Sequence, residues 1–212
     1  EGLLHFISHE IKGYLTKNEA GFSAITSGDY GEVPAPLKSM SADALADTRK
    51  GVATIMDILA ASNLKKGTVA YAKNSFDFVK AVEEIIADIK PSAEEKGLAL
   101  KFSRPARSFT IEGDEEKLRQ HVIRNIIDNS IKYTLHGEVR VTLESVPNAI
   151  RFTVADTGVG ITTDDMSRLF TEGGRGADSV KVNVHSTGYG LFIAKTVVDA
   201  HGGKIWAESD GM

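Results

Sequence analysis

Two stretches of heptad spacing near the start of the chain limit what it can fold into. From Leu4 to Ile25 the positions Leu4, Ile7, Ile11, Tyr14, Asn18, Phe22 and Ile25 step by three or four residues, the spacing that lines side chains along one seam of a helix. A loop dense in helix breakers, from Gly28 to Pro36, separates it from a second seam through Leu37, Met40, Ala44, Thr48, Val52, Ile55 and Leu59. The two predict a helical hairpin. A pair of helices covers its apolar seams only in part, so this hairpin is expected to join a second copy as a homodimer with a four-helix bundle.

The rest of the chain reads differently. Residues 63–74 read as a connector with a short strand at Val69-Ala70-Tyr71, dividing the sequence into a hairpin over 1–66 and a second domain over 67–212. In that second domain the pattern predicts a helix from Phe76 to Lys96, broken or ended near Pro91, then strands at Leu98–Phe102 and Ser108–Ile111. Asp114 is placed to cap a helix running to Thr134, followed by strands at Glu138–Val146 and Ala149–Ala155, a helix from Gly188 to His201, and a last strand at Lys204–Glu208. Pairs of strands between helices predict an α+β fold, with helices covering one face of a mixed sheet. Glu1 falls inside an amphipathic pattern and the chain stops soon after its last strand, so the sequence is expected to be part of a longer protein.

Composition excludes several classes. With 212 residues, 42% of them apolar, the chain can fill a core. Its 25 basic and 29 acidic residues give a net charge of −4, which offers no positive field for nucleic acid. The absence of cysteine rules out a disulfide framework, a thiolate nucleophile and cysteine-ligated zinc. No run approaches the roughly 20 apolar residues that span a bilayer. The expectation is a cytoplasmic domain, with any membrane attachment in segments outside this chain.

The polar residues of the helix after Asp114 sit where core is expected. Asn125, Asn129, Lys132 and Tyr133 fall at i, i+4, i+7 and i+8 and share a face, while Ile123, Ile127 and Ile131 lie on the opposite side. A neutral carboxamide is a hard Mg²⁺ ligand that can complete an octahedron of waters and phosphate oxygens, and a lysine one turn on neutralises phosphate charge. Further along, Val154-Ala155-Asp156-Thr157-Gly158-Val159-Gly160 delivers a carboxylate at a strand end, then two glycines that let backbone approach a flat ligand. A carboxylate accepts hydrogen bonds only, so Asp156 suits the amino group of adenine and would repel the carbonyl of guanine. Between Thr157 and Gly190 there are seven glycines in 34 residues, a lid-like stretch. It ends in Thr187-Gly188-Tyr189-Gly190-Leu191, where a helix N-terminus offers free N–H groups to phosphate.

On the first helix, His9 points about 200° away from Ile7 and so toward solvent, with Glu10 beside it. An exposed imidazole can attack phosphorus while a neighbouring carboxylate takes its other proton. His5 and His9 also stand at the i, i+4 spacing of zinc ligands, but no third ligand lies on the same helix. Trp206 reads as core or strand end, and His201-Gly202-Gly203 as a helix C-cap and turn.

In order and spacing these pieces resemble the catalytic core of sensor histidine kinases over nearly the whole chain. Phe6-Ile7-Ser8-His9-Glu10-Ile11-Lys12 is similar to that family's phosphoacceptor box and Asn125 to Thr134 to its asparagine box. Asp156 to Gly160 is similar to its first glycine box, Leu169-Phe170 with Arg175 to its phenylalanine box, and Thr187 to Leu191 to its second glycine box. The resemblance implies a C-terminal α/β sandwich that binds ATP and Mg²⁺, with His9 phosphorylated and Glu10 as its acid/base partner. It further implies Asn129 as metal ligand, with Asn125 supporting the metal and phosphate end. Lys132 would be a phosphate contact, Tyr133 an adenine neighbour and Asp156 the adenine reader, with Gly158, Gly160, Arg175, Thr187, Gly188, Gly190 and Leu191 around the nucleotide. The implied partner is the receiver domain of a response regulator, whose aspartate takes the phosphoryl group. The alternative is a dimeric ATP-binding switch of the same wider fold without phosphotransfer.

Gly13 and Tyr14 stand where the family places Thr or Asn and then Pro. The resemblance therefore carries no phosphatase activity over to this chain. Ser186 occupies a usually glycine-led position, and Gly173 and Gly174 fall where a second aromatic is usual.

Overall fold

The computed structural model describes residues 2–65, 69–105, 107–174 and 188–211, with the side chains of the first helix from His9 onward. Contacts divide the chain into two compact units, Glu1–Gly67 and Thr68–Met212.

The first unit is a hairpin of α1 (Gly2–Ser27) and α2 (Ala35–Lys65). Gly28 and Gly31 make the turn with φ of 86° and 88°, values that favour glycine. On α2 the buried residues are Ser41, Leu45, Thr48 and Ala61. Leu15 of α1 packs at Gly51, where an added Cβ would come within 3.2 Å of its Cδ1, and Arg49 Nε meets Glu19 Oε1 at 2.9 Å. Of the predicted seams, Phe22, Ile25, Ala44, Val52, Ile55 and Leu59 are half-buried and Thr48 is buried, while Ile11, Tyr14, Leu37 and Met40 are exposed in the single hairpin. Gly13 has open space around its Cβ position, so nothing steric requires glycine at a helix site where it costs about 1 kcal/mol relative to alanine.

In the second unit, β1 (Asn74–Asp77) pairs antiparallel with β3 (Thr110–Gly113). A separate sheet has the order β2-β4-β5, with β2 (Ala99–Ser103) parallel to β4 (Glu138–Val146) and β5 (Ala149–Asp156) antiparallel to it. Val139, Val141 and Leu143 of β4 are buried on one face, as the two-residue period of a strand dictates. The core also holds Val79, Val82, Ile85 and Ile89 of α3 (Phe78–Glu95), Ile123 and Ile127, and Ile193, Ala194 and Val197 of the last helix. Phe78 meets Phe152 of β5 edge to face, ring centroids 6.2 Å apart. Among the described residues no helix is long and apolar enough to cross a membrane.

Five local expectations are corrected. Residues 69–71 form no strand; the strand is β1, five residues later, and α3 begins only at Phe78 under an Asp77 cap. The helix continues through Pro91 to Glu95, held past the proline by the buried Ala93. Lys204–Glu208 joins no ladder. Trp206 is exposed, with the Arg151 guanidinium 5.9 Å from its ring centroid and its indole N–H donating to Glu208 Oε1 at 3.0 Å.

Candidate active site

One helical rod carries four of the predicted ligand residues, Asn125, Asn129, Lys132 and Tyr133. Asp114 caps it by accepting from Lys117 N at 3.0 Å, and it runs through α4 (Glu115–Lys117), a π-helical stretch (Leu118–Arg124) and α5 (Asn125–Tyr133). The wider π turns come just before Asn125. Ile123, Ile127 and Ile131 are buried as their spacing predicts. The opposite end of the rod is closed by Lys96, whose ammonium donates to the carbonyls of Ile131 at 2.7 Å and Lys132 at 2.8 Å, a cation at a helix C-terminus.

On the polar face the two asparagines differ. Asn125 Nδ2 donates to His121 O at 2.9 Å and to Gly190 O at 3.3 Å, so it ties the rod to the start of the last helix, α7 (Gly190–Ala200). Asn129 is half-buried, and its carboxamide has no hydrogen-bond partner within the chain among the described residues. No side-chain N or O atom is buried without a partner among the described residues, so the Asn129 carboxamide is open to solvent, and its oxygen has the chemistry of a single hard ligand for Mg²⁺. The residues present thus fit a metal that arrives with phosphate oxygens. Lys132 is exposed and Tyr133 half-buried on the same face.

Asp128, next to Asn129, has its carboxyl pushed above the usual range by burial, which outweighs the opposing charges of Lys132 and Arg124. Folding therefore favours its neutral form, and its charge opposes folding at pH 7. Asp128→Asn is expected to raise the melting temperature at pH 7 by a few degrees. The gain should shrink as pH falls through the raised folded value and the unfolded one near pH ~3.9, because wild type is then neutral too. Thermal denaturation at pH 7 and pH 4 checks this; a loss of stability at pH 7 would contradict it.

The glycine loop docks on the C-terminal end of the rod. Asp156 ends β5 opposite Val139 and accepts from Gly158 N at 3.0 Å through Oδ1; among the described residues Oδ2 has no partner. Val159 N donates to Tyr133 O at 3.2 Å. A Cβ on Gly158 would lie 2.7 Å from both Asp156 Oδ1 and Tyr133 O, so this contact requires glycine. Gly160 has φ of 73° and lies under Gly211, whose carbonyl oxygen is 2.2 Å from its Cβ position. Gly188 also has φ of 73°. Gly190 is not sterically constrained, since its Cβ would meet Asn125 at 3.5 Å or more.

Sequence reading missed one support of this loop. Thr157 Oγ1 accepts from Glu138 N at 3.1 Å and donates to His136 O at 3.2 Å, pinning the residue after Asp156 to the turn before β4. Gly137, with φ of 110° and a Cβ position 2.2 Å from that oxygen, makes room for it. The Gly137 signal was present in the sequence, but nothing marked its partner.

Asn125, Asn129 and Tyr133 are thus brought together with the Asp156–Gly158 loop and the start of α7, where Leu191 is half-buried. Leu169 and Phe170 follow the short α6 (Thr163–Met166), both half-buried. Arg175, Thr187 and the central part of the glycine-rich stretch lie outside the described residues. In the hairpin unit, His9 is 79% exposed, with Nδ1 3.6 Å from Glu10 Oε1. The His5 side chain lies outside the described residues.

The chain is thus a helical hairpin unit followed by an α/β unit that carries the polar rod and the glycine loop. Residues 113–211 match the family described as histidine kinase-, DNA gyrase B- and HSP90-like ATPase, and the chain as a whole is similar to the catalytic cores of sensor histidine kinases. It is 30% identical over 207 residues to the signal transduction histidine-protein kinase BaeS of Escherichia coli (strain K12), covering 95% of this chain and 42% of that protein. It is 29% identical to the sensor protein kinase WalK of Staphylococcus saprophyticus, covering 96% of this chain and 33% of the relative. The chain therefore spans less than half the length of these two relatives. Among solved structures, full-length ShkA in complex with AMPPNP matches with a TM-score of 0.74 at 23% identity, over 97% of this chain and 43% of that one. The Acinetobacter baumannii histidine kinase AdeS matches with a TM-score of 0.64 at 20% identity, over 96% and 92%. These two likenesses show the fold.

Proposed function

We propose that this chain transfers the γ-phosphoryl group of ATP to His9 and then passes it to an aspartate of a response-regulator receiver domain. The observation that carries the reading is His9 itself. Its ring is open to a large donor, and Nδ1 faces the Glu10 carboxylate, which leaves Nε2 as the attacking nitrogen. In the step, the Nε2 lone pair forms the N–P bond, the bond from the γ-phosphorus to the bridging oxygen breaks, ADP leaves, and Glu10 accepts the Nδ1 proton.

The second unit binds the nucleotide. Asp156 Oδ2 accepts from the adenine amino group, Tyr133 lies against the base, and Gly158 and Gly160 let the backbone close on it. Asn129 holds the nucleotide's Mg²⁺, which supplies charge neutralisation at the phosphates. Lys132, the N–H groups at the start of α7 and, by resemblance, Arg175 and Thr187 hold the phosphate oxygens. Asn125 keeps α7 against the rod. The exposed apolar residues Ile11, Tyr14, Leu37, Met40 and Met56 suit a second hairpin, so the working form is a homodimer. Any membrane attachment lies in other segments of the protein.

Two measurements test this. Incubation with Mg-ATP should label the chain with a phosphate that is acid-labile and base-stable, and a receiver domain should then remove it. Nucleotide binding with no such phosphate would favour the dimeric-switch reading, which the breadth of the matched ATPase family supports. Separately, a calorimetric titration should show ATP bound at least about tenfold more tightly than GTP, as expected where a carboxylate meets a carbonyl. Equal affinities would remove Asp156 from its role.

A further inference from the structure

His201 is bonded at both ring nitrogens. Nδ1 lies 2.7 Å from Val197 O and Nε2 accepts from Asp114 N at 2.9 Å. A carbonyl only accepts and a backbone amide only donates, so both bonds exist together only in the neutral tautomer protonated at Nδ1. The ring is half-buried: Tyr71 meets it edge-on at 5.3 Å, and Gly113 passes so close that a Cβ there would come within 3.0 Å of it.

The bonded partner matters. Asp114 begins the rod that carries Asn129, and His201 ends α7, whose first turn is held by Asn125 at Gly190 O. The rod and α7 therefore run antiparallel, clamped at both ends. The buried Asp114 carboxylate also accepts from Ala72 N at 3.0 Å, and Lys73 Nζ donates to Ala200 O at 2.9 Å. Tyr71 to Lys73 are the segment just past the boundary of the hairpin unit. The same knot thus holds the rod, α7 and the connecting segment.

We propose that His201 is a positioning residue for nucleotide binding: by fixing the end of α7 on the Asp114 amide it sets the register of α7 against Asn129, and through Asp114 it couples nucleotide occupancy to docking of the segment Tyr71–Lys73. This rests on the proposed ATP site, because α7 and Asn129 must hold one nucleotide between them. A shift of α7 along the rod separates those two groups, and coupling between sites is reciprocal. A nucleotide that locks the register therefore tightens the hold on Ala72.

The test uses the whole chain and the non-hydrolysable Mg-AMPPNP as probe, with calorimetric affinity and amide hydrogen exchange at Ala72 as readouts. In wild type, nucleotide should slow exchange at Ala72 by about tenfold. His201→Phe keeps a ring but loses both bonds, and should weaken nucleotide affinity by about tenfold and abolish the added protection at Ala72. His201→Gln offers an uncharged acceptor and should recover most of both. Wild-type affinity in a folded His201→Phe variant would overturn the inference. So would unchanged Ala72 exchange in wild type on adding nucleotide, a result that stands even if the phenylalanine variant fails to fold. Wild type that binds no nucleotide removes the ATP reading and this inference together, whereas binding without a response at Ala72 removes this inference alone.

Discussion

His9→Ala is expected to lose the acid-labile phosphate by about a thousandfold or more, while binding ATP within about twofold of wild type. The split follows from where the groups lie. His9 and Glu10 belong to the hairpin unit, and Asn129, Asp156 and Gly158 to the other, so removing the imidazole takes away the nucleophile without touching the nucleotide's contacts. Losing a sole nucleophile costs far more than losing a positioning contact. Autoradiography of acid- and base-treated samples, with a parallel nucleotide titration, separates the two effects. An alanine variant that labels at wild-type strength contradicts the role of His9, and one that also loses ATP binding contradicts the division of labour.

Gly158→Ala is expected to weaken ATP binding by about a hundredfold while lowering the melting temperature only by a few degrees. The new methyl group would press on the Tyr133 carbonyl and the Asp156 carboxylate at 2.7 Å each, with Thr134 Oγ1 at 3.1 Å. Tyr133 O belongs to the end of a helix held by Lys96, so it cannot retreat at low cost. The loop must move, and Asp156 moves with it. Overpacking of this kind costs about 1–3 kcal/mol, and about 2.7 kcal/mol corresponds to a hundredfold in affinity. Gly158 lies outside the buried core formed by Ile123, Ile127 and Val139, which keeps the cost to global stability small. Affinity within about threefold of wild type would show that the loop does not form the base pocket.

Features with a local cause were legible in the sequence. An aspartate followed by a charged first turn marks a cap, and Asp114 caps the rod. The spacing of Ile123, Ile127 and Ile131 gives their burial, and the alternation in Glu138–Val146 gives β4 with its bounds. Features made by distant partners were not. Asn74-Ser75-Phe76-Asp77 has no strand signature and is extended because it pairs with Thr110–Gly113. Pro91 ought to end a helix, yet packing of Ala93 carries the helix past it. Lys204–Glu208 alternates like a strand but finds no ladder, which leaves Trp206 exposed.

The candidate site divides the same way. Asn129, Asp156 and Gly158 could be singled out because their chemistry is unusual where they stand. Asn125 was grouped with Asn129 by spacing and set apart from it only by resemblance, and in the structure its bonds to His121 O and Gly190 O distinguish it. Thr157 with Gly137, and His201 with Asp114, act across 20 and 87 positions of sequence separation; no local pattern records such pairs.

The most direct measurement is mass-spectrometric mapping of the phosphorylated residue after the 212-residue chain is incubated with Mg-ATP under neutral to basic handling. The account predicts phosphate on the peptide holding His9, on the imidazole, and its disappearance after brief acid treatment. An acid-stable phosphate on Ser8 or any other hydroxyl residue, with His9 unmodified, would contradict it.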